Sequence, residues 1–268
     1  MRDRGVFLWA GFPRVIFFVY FCSAMTKRYF IFLGFDGRAY HGWQVQPNGN
    51  SVQAELEKAL STLLRQPTEV VGAGRTDAGV HARDMAAHFD TEVAVDCSQL
   101  AYKLNRLLPS DISVREVREV PQDMHARFSA KARTYHYYIH TRKDPFVRQH
   151  SCFIHYQLDF DLMNEAGRML TGYDDFGAFC KTHTDVKTTL CQLSRAEWEK
   201  IDDHHYRFVI TANRFLRNMV RAVVGTLIDV GRHRISLDDL RKIVESGKRT
   251  EAGESMPAHA LFLEKVEY

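Results

Sequence analysis

Residues 70–84 read VVGAGRTDAGVHARD, with Gly72, Gly74 and Gly79 set around Arg75 and Asp77. Glycines this dense let a backbone come close to a phosphate, a nucleotide or another substrate. A dinucleotide fingerprint needs glycines at G-x-G-x-x-G. Gly72 and Gly74 fit, but the third position is Asp77, a carboxylate where pyrophosphate would sit. A phosphate-cradling loop needs G-x-x-x-x-G-K-[ST]. Gly74 and Gly79 have that spacing, yet Val80 and His81 follow, so the lysine for phosphates and the hydroxyl for magnesium are missing. Both nucleotide readings fail, and a nucleotide-dependent transferase fails with them.

The flanking sequence sets the fold class. KRYFIFLGFDG (27–37) reads as a strand ended by Asp36-Gly37, and YHGWQVQPNGNS (40–51) as a turn-rich loop. Val52, Leu56, Ala59, Leu60 and Leu63 share one helical face behind Ser51. TEVVGAG (68–74) predicts a short strand, DMAAHFDTEV (84–93) another, and Ser98 to Leu107 a helix stopped by Pro109. After Pro121 the pattern restarts. ARTYHYYIHT (132–141) alternates, with Tyr135, Tyr137 and Ile139 on one face and Thr134, His136 and Tyr138 on the other. DLMNEAGRML (161–170) predicts a helix. SRAEWEKI and HYRFVITA predict a hairpin turning at Asp202-Asp203-His204. Helices are expected over Phe215 to Asp229 and Leu237 to Glu245, and ALFLEKVEY (260–268) is a closing strand. Strands and helices mix without strict β-α-β alternation, which gives an α+β class with antiparallel strands. No linker or sequence repeat separates the halves, so residues 27–124 and 125–268 are expected to share one continuous sheet.

The 268 residues are 45% hydrophobic and 26% charged, an ordinary globular composition, and the net charge of +3 is a weak hint of a polyanionic partner. Cys22, Cys97, Cys152, Cys180 and Cys191 are scattered without a C-x-x-C pair, which disfavours a disulfide framework or zinc site and fits a reducing, cytoplasmic setting. The thirteen histidines form no H-E-x-x-H pattern, so no metal is expected. VIFFVYF (15–21) is far shorter than the roughly 20 residues needed to span a bilayer. With Arg2 and Arg4 before it and Cys22-Ser23-Ala24 after, it faintly resembles a signal peptide; Pro13 and Arg14 interrupt that pattern. Residues 1–24 are read as an upstream extension ahead of Met25.

Basic residues concentrate in two places. Between His125 and His150 lie Arg127, Lys131, Arg133, Arg142, Lys143 and Arg148, interleaved with Phe128, Tyr135, Tyr137 and Tyr138. Cations engage phosphates and aromatic faces stack on unpaired bases, although a charge-guarded strand edge would look the same. In ANRFLRNMVRAVVGTLIDVGRHR, Arg214, Arg217 and Arg221 are spaced i, i+3 and i+7, and are expected on one helix face. Arg221 borders the apolar side of that helix, where a guanidinium needs a carboxylate partner. Asp77 is available.

GAGRTDAGVHA closely resembles the catalytic motif of TruA-type tRNA pseudouridine synthases. The resemblance continues in order through YHGWQ (40–44), SVQAELEKAL (51–60), LNRLLPSDISV (104–114), HARFSAKARTYHYYI (125–139) and FLRNMVRAVVGTL (215–227). It implies two ferredoxin-like α/β domains sharing one extended mixed or antiparallel sheet, with an active site in a positively charged cleft between them. It implies a homodimer that grips tRNA, no cofactor and no metal. Asp77 resembles the family's catalytic aspartate, Arg221 its basic partner, and Tyr135 the tyrosine packed on the target uracil. Arg75 resembles a loop arginine that assists base displacement, and Arg133, Arg214 and Arg217 are further expected substrate-binding residues. One departure is Ala260, where the family commonly has glycine; Leu261 or Leu263 would supply an apolar wall.

The implied reaction isomerises uridine to pseudouridine on the 3′ side of the anticodon arm, at tRNA positions 38, 39 and 40. It explains an acid in the loop. Glycoside hydrolases use two carboxylates, but here uracil leaves as a stabilised anion and no water is wanted, so one suffices. Asp77 would act ionised, as a nucleophile at the anomeric carbon or as a base forming a glycal. Each residue also has a plainer reading. Asp beside Gly suits a turn, Tyr135 suits a strand core, His81 and His88 suit structural or RNA-facing roles, and Cys180 and Cys191 suit buried packing. The alternative for the whole chain is a catalytically inactive RNA-binding module.

Overall fold

The computed structural model describes residues 26–47, 49–182 and 187–268. The extension expected at residues 1–24 lies outside the described residues. The first half contributes β1 (Lys27–Phe35), α1 (Val52–Leu64), β2 (Val71–Gly72), β3 (His81–Thr91), α2 (Cys97–Leu107) and β4 (Ile112–Val120). The second contributes β5 (Ala132–His140), β6 (Cys152–Phe153), α3 (Phe160–Leu170), β7 (Leu193–Lys200), β8 (His205–Ala212), α4 (Met219–Gly231), α5 (Leu237–Ser246) and β9 (Leu261–Glu267). All strands join one sheet ordered β4-β1-β3-β9-β5-β8-β7, with β2 paired to β3 and β6 to β5.

Both halves have the same connectivity. With the two-residue β6 and the additional helix α5 set aside in the second half, each runs β-α-β-β-α-β, ordered β4-β1-β3-β2 in one half and β9-β5-β8-β7 in the other. This is the ferredoxin-like arrangement. Each half has its own core. One packs Leu56 and Leu60 of α1 and Leu104 of α2 on β1, β3 and β4; the other packs Met163, Val223, Leu227 and Leu240 on β5, β7 and β8. Ser51 caps α1 as its spacing predicts, its hydroxyl accepting from the Ala54 N–H at 3.2 Å.

The seam between the halves positions everything that follows. Along one edge of β3, β2 pairs Val71 with His88 and Gly72 with Ala87. Further along that edge β9 takes over in parallel, pairing Phe262 with His81 and Leu263 with Ala82. The glycine loop leaves β2 and enters β3, so it occupies the gap between these two partners. β9 in turn pairs antiparallel with β5, setting Leu263 opposite Tyr135.

Two expectations are corrected. The helix expected from Phe215 begins at Met219, because Asn218 takes a left-handed φ of 66° and stops the coil from extending backwards. Arg214 and Arg217 therefore precede α4 and share no helix face with Arg221. β4 has no counterpart in the sequence reading. Its Ile112 and Val114 are buried at period two, but Val117 follows at period three. The pairing slips there, Phe32 facing Glu116 while Leu33 faces Val114, so Arg115 is an extra residue that shifts the alternation.

The seam is sensitive to acid. The buried His81 ring accepts from the Gly37 N–H at 3.2 Å, and its Nε2–H donates to the His259 carbonyl at 3.0 Å. It stacks on Phe262 at 4.4 Å, and His136 sits opposite Phe262 on β5. Burial pushes both rings down to about 4. The unfolded chain, with histidines near 6.5, then takes up protons first as pH falls. The stabilisation is complete above pH 6.5 and is lost on the way to pH 4, on the order of 2 kcal/mol per ring at pH 5. Urea unfolding at pH 7.5 and pH 5 should show a lower midpoint at pH 5; equal midpoints would contradict this account.

Candidate active site

The loop is shaped from beneath by the YHGWQ segment. The buried indole of Trp43 lies under Gly72, where an added Cβ would come within 2.4 Å of its nitrogen. The Trp43 backbone N–H donates to the Thr76 carbonyl at 3.4 Å, and the Gly79 N–H to the Tyr40 carbonyl at 3.3 Å. Val80 N–H closes a turn onto the Asp77 carbonyl at 3.1 Å, with Gly79 at φ 78°, a conformation that disfavours any side chain. Asp77 thus begins a turn, and the turn aims its carboxylate across the seam. The glycines expected to admit a nucleotide serve mainly the loop's own folding; only Gly74 faces open space.

The carboxylate meets Arg221. Asp77 Oδ2 lies 3.4 Å from Arg221 Nη1, with both side chains partly exposed. Arg221 Nε donates to the Met256 carbonyl at 2.6 Å, and its own carbonyl accepts from the Met256 N–H at 3.1 Å. The 252–256 segment is strapped onto α4 by the Gly253 N–H on Thr226 Oγ1 at 2.9 Å. Arg249 donates to the carbonyls of Ala252 and Gly253 and to Ser255 Oγ. The guanidinium facing Asp77 is therefore held from behind. The sequence reading took no notice of residues 249–256, which contribute through backbone carbonyls that no side-chain pattern reveals.

Tyr135 completes the group. It packs against both cores, and its ring meets Phe215 edge-on at 5.1 Å. Burial, reinforced by the negative charge of Asp77, pushes its hydroxyl up to about 12. It stays protonated at neutral pH, as an aromatic wall with a polar tip. Tyr135→Phe is expected to keep RNA affinity, whereas Tyr135→Ala should weaken it by roughly 5-fold or more, the worth of one base stacked on an aromatic ring. Anisotropy titration with an anticodon-arm hairpin measures both, and equal losses would remove the stacking role.

The other expected site residues separate. Arg75 is exposed and makes no side-chain hydrogen bond or ion pair among the described residues. Arg217 is exposed and Arg214 half-buried, both ahead of α4. Arg133 is different. Its Nη1 donates to the carbonyls of Ala130 (3.0 Å) and Asn213 (2.7 Å), and its Nη2 to those of Ala73 (3.1 Å) and Arg127 (2.6 Å). Ala73 is in the glycine loop and Asn213 at the end of β8, so one guanidinium ties the loop to the opposite half. Leu261 and Leu263 are both buried; Leu263 is the one paired with Tyr135, and Ala260 is fully buried just ahead of β9. His81, His88, Cys180 and Cys191 are all buried.

Asp36, His81 and His150 bring possible ligand atoms within 4.8 Å of one another. The His81 Nδ1 lone pair already serves the Gly37 N–H, and Asp36 is held by Arg38. A metal there would strip a buried N–H of its acceptor.

Comparison with known proteins identifies the family. The family model described as tRNA pseudouridine synthase matches residues 32–129 and 166–268. A tRNA pseudouridine synthase A of Bacteroides fragilis is 59% identical over 244 residues, covering 91% of this chain and 97% of the relative. Those of Bacteroides thetaiotaomicron (57% identical, 90% of this chain and 91% of the relative) and Parabacteroides distasonis (52%, 90% and 96%) are similar. With agreement of that extent along both halves, the chain belongs to the tRNA pseudouridine synthase family.

Proposed function

We propose that this protein isomerises uridine to pseudouridine in tRNA, at the anticodon-arm uridines, with Asp77 as its single catalytic carboxylate. The observation that carries the reading is the Asp77–Arg221 pair reaching across the seam beside Tyr135. In the reaction the C1′–N1 bond breaks and its electron pair leaves with uracil. The base turns, C5 bonds to C1′, C5 gives up its proton and N1 gains one. Asp77 either bonds C1′ transiently or takes and returns the C2′ proton. Arg221 orients the carboxylate, and its own position is fixed by Met256. Tyr135 provides the face against which a base extruded from its stack can rest.

Residues 27–124 would then carry the acid and residues 125–268 the partner and wall, so neither half is a catalyst alone. Arg75, Arg214 and Arg217 are proposed to bind RNA, and Arg133 to fix the loop. The protein would work on tRNA in the cytoplasm as a homodimer, without metal or cofactor. Among the described residues no helix is long and apolar enough to cross a membrane. Incubation with unmodified tRNA transcripts, followed by pseudouridine mapping, is the test. Product at anticodon-arm uridines is expected, and its absence from every transcript would defeat the proposal.

A further inference from the structure

One aromatic ring near the glycine loop faces solvent on a firmly fixed backbone. Phe128 is 76% exposed, in a turn at residues 126–128 ahead of β5. A single exposed apolar side chain is ordinary on a protein surface; what sets this one apart is the bracing beneath it. The Ser129 N–H closes the turn on the His125 carbonyl at 2.9 Å, and the His125 N–H donates to Ser129 Oγ at 2.9 Å. His125 Nδ1 accepts from the backbone N–H groups of Arg127 (3.0 Å) and Phe128 (3.3 Å). Burial pulls the pKa of that imidazole below the ordinary histidine value, so its lone pair is available at neutral pH. Ala126 is fully buried; its N–H donates to His88 Nδ1 at 3.2 Å and its carbonyl accepts from the Tyr268 hydroxyl at 2.7 Å.

The rings are placed as well. His125 backs Phe128 at 4.4 Å between centroids, and the Arg127 guanidinium lies 5.5 Å from the Phe128 centroid. A base arriving here meets an aromatic face and a delocalised cation together. Arg133 sets the location. Its Nη2 holds the carbonyls of Ala73 and Arg127 at once, so the turn displaying Phe128 and the loop carrying Asp77 hang from one nitrogen. Gly74, the next residue along that loop, opens onto free space, and Arg75 beyond it is exposed.

We propose that Phe128, with His125 behind it and Arg127 beside it, is a stacking platform for an unpaired anticodon-arm base flanking the target uridine. The assignment rests on the synthase reading and extends it from the extruded base to its neighbour. Extrusion strips that neighbour of a stacking partner, and the ring replaces it. Because the turn is braced before RNA arrives, little ordering is required on binding.

The test uses anticodon-arm hairpins with one abasic nucleotide placed singly at each position within two nucleotides of the target uridine. Affinities are measured for the unaltered protein and for Phe128→Ala. One abasic position should weaken the unaltered protein by roughly fivefold or more, the worth of one base stacked on an aromatic ring. Phe128→Ala should weaken the intact hairpin similarly, yet change affinity for that one abasic hairpin by less than about twofold, because the two losses are one interaction. Phe128→Tyr should restore the intact hairpin to within about twofold, whereas Phe128→Leu, apolar but without a π face, should not. Additive losses at every position, or full rescue by leucine, would overturn the assignment. So would an altered sedimentation of RNA-free Phe128→Ala with no coupled position, which would make the ring a contact between copies. Turnover of the intact hairpin is scored separately. Product without coupling defeats the platform alone; absence of product defeats the synthase reading.

Discussion

Asp77→Asn is expected to lower pseudouridine formation by roughly 10⁴-fold or more while leaving tRNA affinity within severalfold, since removing a catalytic nucleophile or base costs on that scale. The amide fills the same volume but can neither bond C1′ as an anion nor accept the C2′ proton, so both chemical routes close together. The fold should tolerate the change. The ion pair with Arg221 is 3.4 Å long and partly exposed, and such pairs contribute about 0–1 kcal/mol. Arg221 also keeps its bond to the Met256 carbonyl. The turn that carries residue 77 is closed by backbone groups of Val80 and Gly79. A single-turnover assay and a urea melt, run together, separate chemistry from folding. Retention of more than a few per cent of activity by a folded Asp77→Asn protein would exclude the one-carboxylate mechanism. Loss of affinity and activity together would make the residue a binding group.

What could be read in the sequence follows from what a side chain can announce. The Asp77–Arg221 pairing was legible because a guanidinium at the edge of an apolar helix demands a carboxylate, and one carboxylate stood among glycines. Tyr135 was legible as one face of an alternating strand. α1, α2, α3 and α5 were legible from apolar spacing and their stops. β4 was hidden by its bulge at Arg115, which breaks the alternation that marks a strand. The start of α4 was hidden because FLRN continues a helical pattern that only the left-handed turn at Asn218 interrupts. The repeated ferredoxin-like order was expected from the family resemblance alone, since the two halves share connectivity and no sequence repeat. The strap of residues 249–256 and the grip of Trp43 beneath the loop act through close backbone contact.

Arg133 marks the boundary of that legibility, and it carries the second large effect. Its place in a basic stretch predicted a contact with RNA. In the structure four of its N–H donors end on four carbonyls, of Ala73, Arg127, Ala130 and Asn213. Burial pulls its pKa below the ordinary arginine range, as suits a cation surrounded by protein rather than by phosphates. Lysine at this position keeps the charge but offers three donors from a single point, which cannot span the same fork. Arg133→Lys is therefore expected to release Ala73 and let the loop that aims Asp77 drift. A displacement of about 1 Å at a reacting group can cost about 10²-fold in rate, so kcat should fall by roughly that factor. The two readings part on affinity. A brace predicts that Arg133→Lys, combined with Asp77→Asn, binds tRNA as tightly and with the same salt dependence as Asp77→Asn alone. A phosphate contact made through the planar fork predicts weaker binding and a shallower dependence on salt, because a lost contact releases fewer counterions. Arg133→Gln extends the comparison by removing the charge outright. If its binding and salt slope also match those of the Asp77→Asn parent while turnover collapses, the guanidinium serves the loop alone.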